Sequence, residues 1–191
     1  MFEEILKRIS ICLEESHIPY MIIGGQAVLL YGEPRLTRDI DITLGVNPDR
    51  LDELLVILKK NSLKPIPKDI ELFVKESMVL PAIDEPTGIR IDFIFSFTPY
   101  EMEAIKRSKK VVIMGQEVSF SSPEDLIIHK IFAGRPRDME DVRSILLKNP
   151  EINRKYIRAW LKEFDSSSEK KDFLKTFEEI LKMIPSVIPA G

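Results

Sequence analysis

Cysteine is almost absent from this sequence: Cys12 stands alone, so neither an internal disulfide nor a cysteine metal cluster can form. Histidine is nearly as scarce. His17 and His129 lie far apart along the chain, which argues against a histidine-rich zinc site. A metal would instead be a hard ion held by carboxylates. Long apolar runs are missing as well, none approaching the ~20 residues of a membrane span. Glu3 and Glu4 put acids where a signal peptide would be basic. The expectation is a cytoplasmic protein with no membrane partner. An excess of positive charge is also lacking, since the net charge is −3. That excludes a surface coated in base for bulk nucleic-acid binding but leaves room for a local basic patch. What is present is ample apolar material: 44% of 191 residues are hydrophobic, enough for one domain or one domain with an appendage.

Apolar positions at Phe2, Ile5, Leu6, Ile9, Cys12 and Leu13 predict a helix over 2–16, closed by Pro19. Tyr20-Met21-Ile22-Ile23 reads as a strand, Gly24-Gly25 as a turn, and Gln26 to Tyr31 as a short helix. The segment 38–44 alternates acid and apolar residues like a half-buried strand. A helix follows over 49–60, burying Leu51, Leu54, Leu55 and Leu58. Strands are expected over 71–83 and 88–97, and a hairpin around Gly115-Gln116. From Ser122 the pattern turns helical, over 123–133, 137–148, 151–164 and 168–183. The fold class is α+β: a mixed sheet with helices on one side in residues 1–121, and a C-terminal helical region, 122–191, packed on it.

Asp39 and Asp41 are two apart on their strand, so both carboxylates share one face while Ile40 and Ile42 enter the core. Asp92, in Arg90-Ile91-Asp92-Phe93, has the same setting on a second strand. If the two strands are neighbours, three carboxylates converge. A pair ~4 Å apart repels by about 4 kcal/mol at an effective dielectric near 20, so such a group needs protons or cations. Two divalent ions would neutralise it and provide the clamp for phosphoryl or nucleotidyl transfer. The other reading is a solvated strand face. Gly24-Gly25, between strand and helix, either seats a phosphate on exposed N–H groups or is a plain tight turn.

Taken together, Ile23-Gly24-Gly25, Arg35, Thr37-Arg38-Asp39-Ile40-Asp41 and the later Asp92 resemble the signature of the polymerase-β-like nucleotidyltransferase superfamily. The stretches Pro123–Lys130 and Arg135–Asp141 extend the likeness to its minimal bacterial and archaeal branch, which includes relatives of the AbiEii-type toxins. The resemblance implies two Mg²⁺ ions, with Mn²⁺ as a substitute, on Asp39, Asp41 and Asp92. It also implies that Asp92 helps deprotonate the attacking hydroxyl. It places a triphosphate on the backbone of Gly24 and Gly25, with Lys130 neutralising phosphate charge and Asp138 orienting phosphate or base. Arg35 and Arg38, beside the acid pair, are charge-matched to phosphates or equally pair with Asp39 and its neighbours. Many catalytic members carry serine after the first glycine. Here that position is Gly25, so the backbone donors remain and one hydroxyl contact is lost.

Other residues admit two readings each. Lys130 either snorkels to solvent or points into a cleft. Asp138 and Asp141 either line a site or are first-turn acids of a helix. Lys106, Arg107, Lys109 and Lys110 read as a solvated loop, or as an RNA contact. The expected activity is transfer of a nucleoside monophosphate from an NTP such as ATP to a hydroxyl of RNA, protein or a small molecule. The rival is a non-catalytic nucleotide-binding or interaction module, part of a toxin–antitoxin-like pair with a cognate partner protein. An apolar tail at Ile184, Val187 and Ile188 would suit packing on a partner or a homo-oligomer.

Overall fold

The computed structural model describes residues 1–167 and 172–184. The chain forms two compact units. One comprises residues 1–27 and 35–122; the other comprises 28–34 and the chain from 123 onward.

The first unit is a seven-stranded mixed sheet with helices. In chain order it contains α1 (Phe2–Glu15), β1 (Tyr20–Ile23), the start of α2 (Gly24–Tyr31) and β2 (Asp39–Leu44). After a 3-10 turn at Pro48–Arg50 come α3 (Leu51–Lys60), β3 (Leu63–Pro65), α4 (Ile70–Ser77), β4 (Val79–Asp84) and β5 (Arg90–Phe95). It ends with α5 (Pro99–Lys106), β6 (Lys109–Ile113) and β7 (Gln116–Phe120). The strand order is β3-β4-β5-β2-β1-β7-β6. β2 runs antiparallel to β1 and parallel to β5. One face of these central strands is Ile40, Ile42 and Leu44 beside Ile91, Phe93 and Phe95, all buried. α1 buries Ile5, Leu6, Ile9 and Leu13, its stripe at helical spacing, and lies against β7 and α3.

The second unit is helical: α6 (Pro123–Ala133), α7 (Pro136–Lys148), α8 (Arg154–Ser167) and α9 (Phe173–Met183), with the end of α2. α6 is buried nearly all round, through Asp125, Leu126, Ile127, Ile128, Lys130 and Ile131. That is the burial expected of a central helix, and α7, α8 and α9 all touch it.

Several expectations need correction. The segment 71–83 is not one strand. Its first part is α4, started by Asp69, whose side chain accepts from the Leu72 N–H at 3.0 Å, and ended by Met78 in the left-handed region. Only Val79–Asp84 is extended. An N-cap aspartate therefore outweighed the β-rich composition of Leu72-Phe73-Val74. The basic cluster is only in part a loop, with Arg107 in the turn between two elements. Lys106 closes α5, Lys109 and Lys110 open the edge strand β6, and Lys110 pairs with Glu14 at 3.0 Å. Lysines on an edge strand also discourage pairing with other chains. α5 and β3 were not foreseen. In α3 the fourth buried residue is Ile57, with Leu55 only half-buried. Helices α8 and α9 are offset from 151–164 and 168–183, with residues 168–171 outside the described range. Val187 and Ile188 also lie outside it, and Ile184 caps α9.

Candidate active site

β2 and β5 pair in register, with Asp39 opposite Arg90 and Asp41 opposite Asp92. In a parallel pair, residues directly opposite project to the same face. Asp39, Asp41 and Asp92 thus share the face opposite the Ile40–Phe93 core, all three half-buried. On the other side of β2, Ile23 stands opposite Asp41 and the chain turns at once into α2. The first turn of that helix therefore abuts the acidic strand.

Each carboxylate has a distinct neighbour. Asp39 Oδ1 accepts from the Thr37 hydroxyl at 3.1 Å, and its backbone carbonyl faces the Gln26 amide at 3.4 Å. Asp41 packs on Gly24: a Cβ there would lie 1.9 Å from Asp41 Oδ2, and Gly24 has φ +64°. Both steric room and the left-handed backbone therefore require glycine. Asp92 Oδ1 accepts from Arg90 Nε at 2.8 Å. That bond, then the charges of Asp92, Asp39 and Asp41, hold the Arg90 guanidinium above its ordinary pKa. Arg90 thus feels all three acids.

Among the described residues, no three histidine, cysteine or acidic side chains are gathered so as to hold a metal ion as they stand. The backbone nonetheless offers three hard oxygen donors on one face, the set that suits a divalent ion of the Mg²⁺ type. The donor chemistry fits such an ion.

Gly25 has a local reason of its own. A Cβ at this position would lie 2.3 Å from Thr37 Oγ1 and 2.8 Å from Thr37 Cβ. A serine here cannot coexist with Thr37 as placed, and the hydroxyl in that space belongs to Thr37. Arg35 Nη2 lies 3.6 Å from the same point. Arg38 is exposed beside Asp39.

Lys130 and Asp138 lie in the second unit and meet each other. Lys130 Nζ is 2.7 Å from Asp138 Oδ1 and 2.8 Å from Asp141 Oδ2, and all three side chains are less than a tenth exposed. The lysine does not snorkel, and the acids are more than surface acids of a first turn. Two aspartates three apart, on one face of α7, were the available signal; the lysine comes from α6, across the Gly134-Arg135 break. Asp125 is likewise buried and accepts from the Tyr156 hydroxyl at 2.8 Å. His129 has its Nε2 atom buried, and desolvation pushes its pKa down to about 4. Arg90 and Thr37 were missed as site residues. Their two-residue spacing from Asp92 and Asp39 places each beside its acid.

No described helix is long and apolar enough to cross a membrane. A comparison with curated proteins finds no match. Among solved structures, the chain is similar to the antibiotic-resistance factor ANT(2″)-Ia in solution, with a TM-score of 0.58 and 19% identity over 86% of this chain and 91% of that one. The crystal structure of ANT(2″)-Ia with adenylyl-2″-tobramycin gives 0.58 and 18%, over 86% and 97%. An antigenic nucleotidyltransferase-like protein from Paracoccidioides brasiliensis gives 0.57 and 17%, over 95% and 92%. At these identities the likeness is one of fold. A family model matches residues 1–183, and by that match the chain belongs to the family described as nucleotidyltransferase of unknown function (DUF6036).

Proposed function

We propose that the protein transfers a nucleoside monophosphate from an NTP, ATP first among them, to a hydroxyl of a small molecule, releasing pyrophosphate. The observation that carries this reading is the pairing of Asp41 with Asp92 across parallel strands, with Asp39 on the same face. Divalent ions such as Mg²⁺ bound by these three residues would neutralise charge and polarise the phosphoryl group. The chain's own residues position the reactants. The backbone N–H groups at the start of α2, from Gly24 and Gly25, favour an anionic triphosphate. Arg38, exposed beside Asp39, adds positive charge on that side. Asp92 accepts the proton of the attacking hydroxyl as the bond to the α-phosphorus forms and the bond to pyrophosphate breaks. A small acceptor is supported by the adenylyl-2″-tobramycin in the ANT(2″)-Ia complex. The net charge of −3 works against a long polyanion.

The test is incubation with each α-labelled NTP and Mg²⁺ or Mn²⁺, offering hydroxylated small molecules, total RNA and cell extract in parallel. Label should move to a small molecule with wild type and not with Asp39→Ala. Transfer to RNA alone would replace the acceptor class. A second reading, a non-catalytic nucleotide-binding module, draws on the Arg90–Asp92 bond and on the missing serine at Gly25. NTP binding without label transfer under either metal would establish it and remove the enzyme.

A further inference from the structure

Arg90 stands two residues before Asp92 on β5, so period two turns both side chains to the acidic face. The register also sets it beside Asp39. Its Nε donates to Asp92 Oδ1 at 2.8 Å, one of the oxygens a bound ion would need. The arginine side chain is 55% exposed while that of Asp92 is 18% exposed. A guanidinium so placed is free to rotate into water without leaving a cavity behind. Resting on Asp92, it offsets part of the repulsion among three neighbouring carboxylates. It cannot remain there beside a divalent ion, because the two cations would compete for one oxygen and repel each other.

We propose that Arg90 is an internal counter-cation that holds Asp92 while the acidic face carries no metal, and that divalent ions displace it as they bind. The proposal rests on the reading of Asp39, Asp41 and Asp92 as metal ligands. Arg90 then acts as a positioning residue. It keeps the carboxylate ordered between turnovers and sets a threshold on metal affinity.

The consequence is that removing the guanidinium makes metal binding tighter, the reverse of what loss of a ligand or of a folding contact does. Mn²⁺ alone, without nucleotide, is titrated calorimetrically into wild type, Arg90→Gln, Arg90→Lys and Asp39→Ala. Lys64→Gln, at an exposed lysine on β3, serves as a control for net charge. Exposed ion pairs contribute modestly, so the Mn²⁺ Kd of Arg90→Gln should fall about two- to fivefold. Arg90→Lys should stay near wild type, and Lys64→Gln should not change. The gap between wild type and Arg90→Gln should narrow at high salt. Equal or weaker binding by Arg90→Gln overturns the proposal, as does an equal gain in Lys64→Gln. If wild type binds Mn²⁺ and Asp39→Ala does not, yet Arg90→Gln gains nothing, only the counter-cation idea falls. If neither wild type nor Arg90→Gln binds Mn²⁺, the carboxylate site falls with it. Thermal melts of each variant exclude misfolding, with Arg90→Lys retaining the charge if glutamine perturbs the strand.

Discussion

Gly24→Ala should damage the protein in two separable ways. The first is backbone strain, since a non-glycine residue at φ +64° costs about 1–2 kcal/mol. The second is collision. The new Cβ would lie 1.9 Å from Asp41 Oδ2 and 2.8 Å from its Cγ, so the aspartate must leave its rotamer at a further ~1 kcal/mol. The sum is about 2–3 kcal/mol, measured by urea denaturation. A double-mutant cycle separates the parts. In an Asp41→Ala background the two nearest atoms, Oδ2 and Cγ, are gone and the Asp41 Cβ stands at 3.1 Å, so the same glycine change should cost only the ~1–2 kcal/mol of strain. The coupling between the two sites should therefore be about 1 kcal/mol. Transferase activity of Gly24→Ala should fall about 100-fold, because a carboxylate displaced by ~1 Å no longer meets its reactants. A single-variant cost under ~0.5 kcal/mol, or costs that add within ~0.3 kcal/mol, would refute the packing of Asp41 on Gly24.

Other expected outcomes are independent of that cycle. Lys130→Met removes the buried cation shared by Asp138 and Asp141, leaving Asp138 the exposed Arg135 at 3.8 Å, and should cost about 3–5 kcal/mol in chemical denaturation; an unchanged midpoint would contradict the buried triad. Asp41→Asn removes one of three carboxylates on one face and, with Arg90 already offsetting part of their repulsion, should raise metal-free stability by under about 1 kcal/mol at low salt, less as salt increases. A loss of stability would mean the face is already neutralised. His129 gives a pH signature. Its folded pKa of about 4 lies below the unfolded ~6.5, so between these values the unfolded chain binds the extra proton. Stability should therefore fall as pH drops from ~6.5 to ~4, by at most about 3 kcal/mol. His129→Asn should flatten that slope, and a slope unchanged by the substitution would assign the effect elsewhere.

The alternation Asp39-Ile40-Asp41-Ile42 made β2 legible, because a strand with one buried face writes its period into the residue types. The same held for Ile91, Phe93 and Phe95 on β5. Their pairing was not legible, since the chain between them builds α3, β3, α4 and β4 and nothing local fixes which strand becomes whose neighbour. α4 hid because Leu72-Phe73-Val74 looks extended, and its start depends on the single side chain of Asp69. α5 could have been read from Thr98-Pro99, an N-cap followed by a proline at the first helical position. Arg90 was written beside Asp92 in plain view. Its role emerges only when Asp39 is known to stand across from it. The mutual pairing of Lys130, Asp138 and Asp141 shows a related limit: residue types name charges, but only packing says whether they face outward or each other.

The parallel pairing of β2 with β5 has a consequence for how the molecule comes together. Parallel neighbours cannot close as a hairpin; they wait for the whole crossover between them. The contacts of Asp41 with Asp92 are therefore of high sequence separation, paid for in loop-closure entropy before any burial rewards them. The first part of the site, Gly24 against Asp41, belongs to a local stretch of chain, β1, the start of α2 and β2. The second part needs β5 to dock across the intervening α3, β3, α4 and β4, and it brings a third negative charge to a face that already carries two. A chain halted before β5 docks would hold the glycine turn and the acid pair yet lack the third carboxylate. Completion of the acidic face thus requires that the β2–β5 pairing has formed.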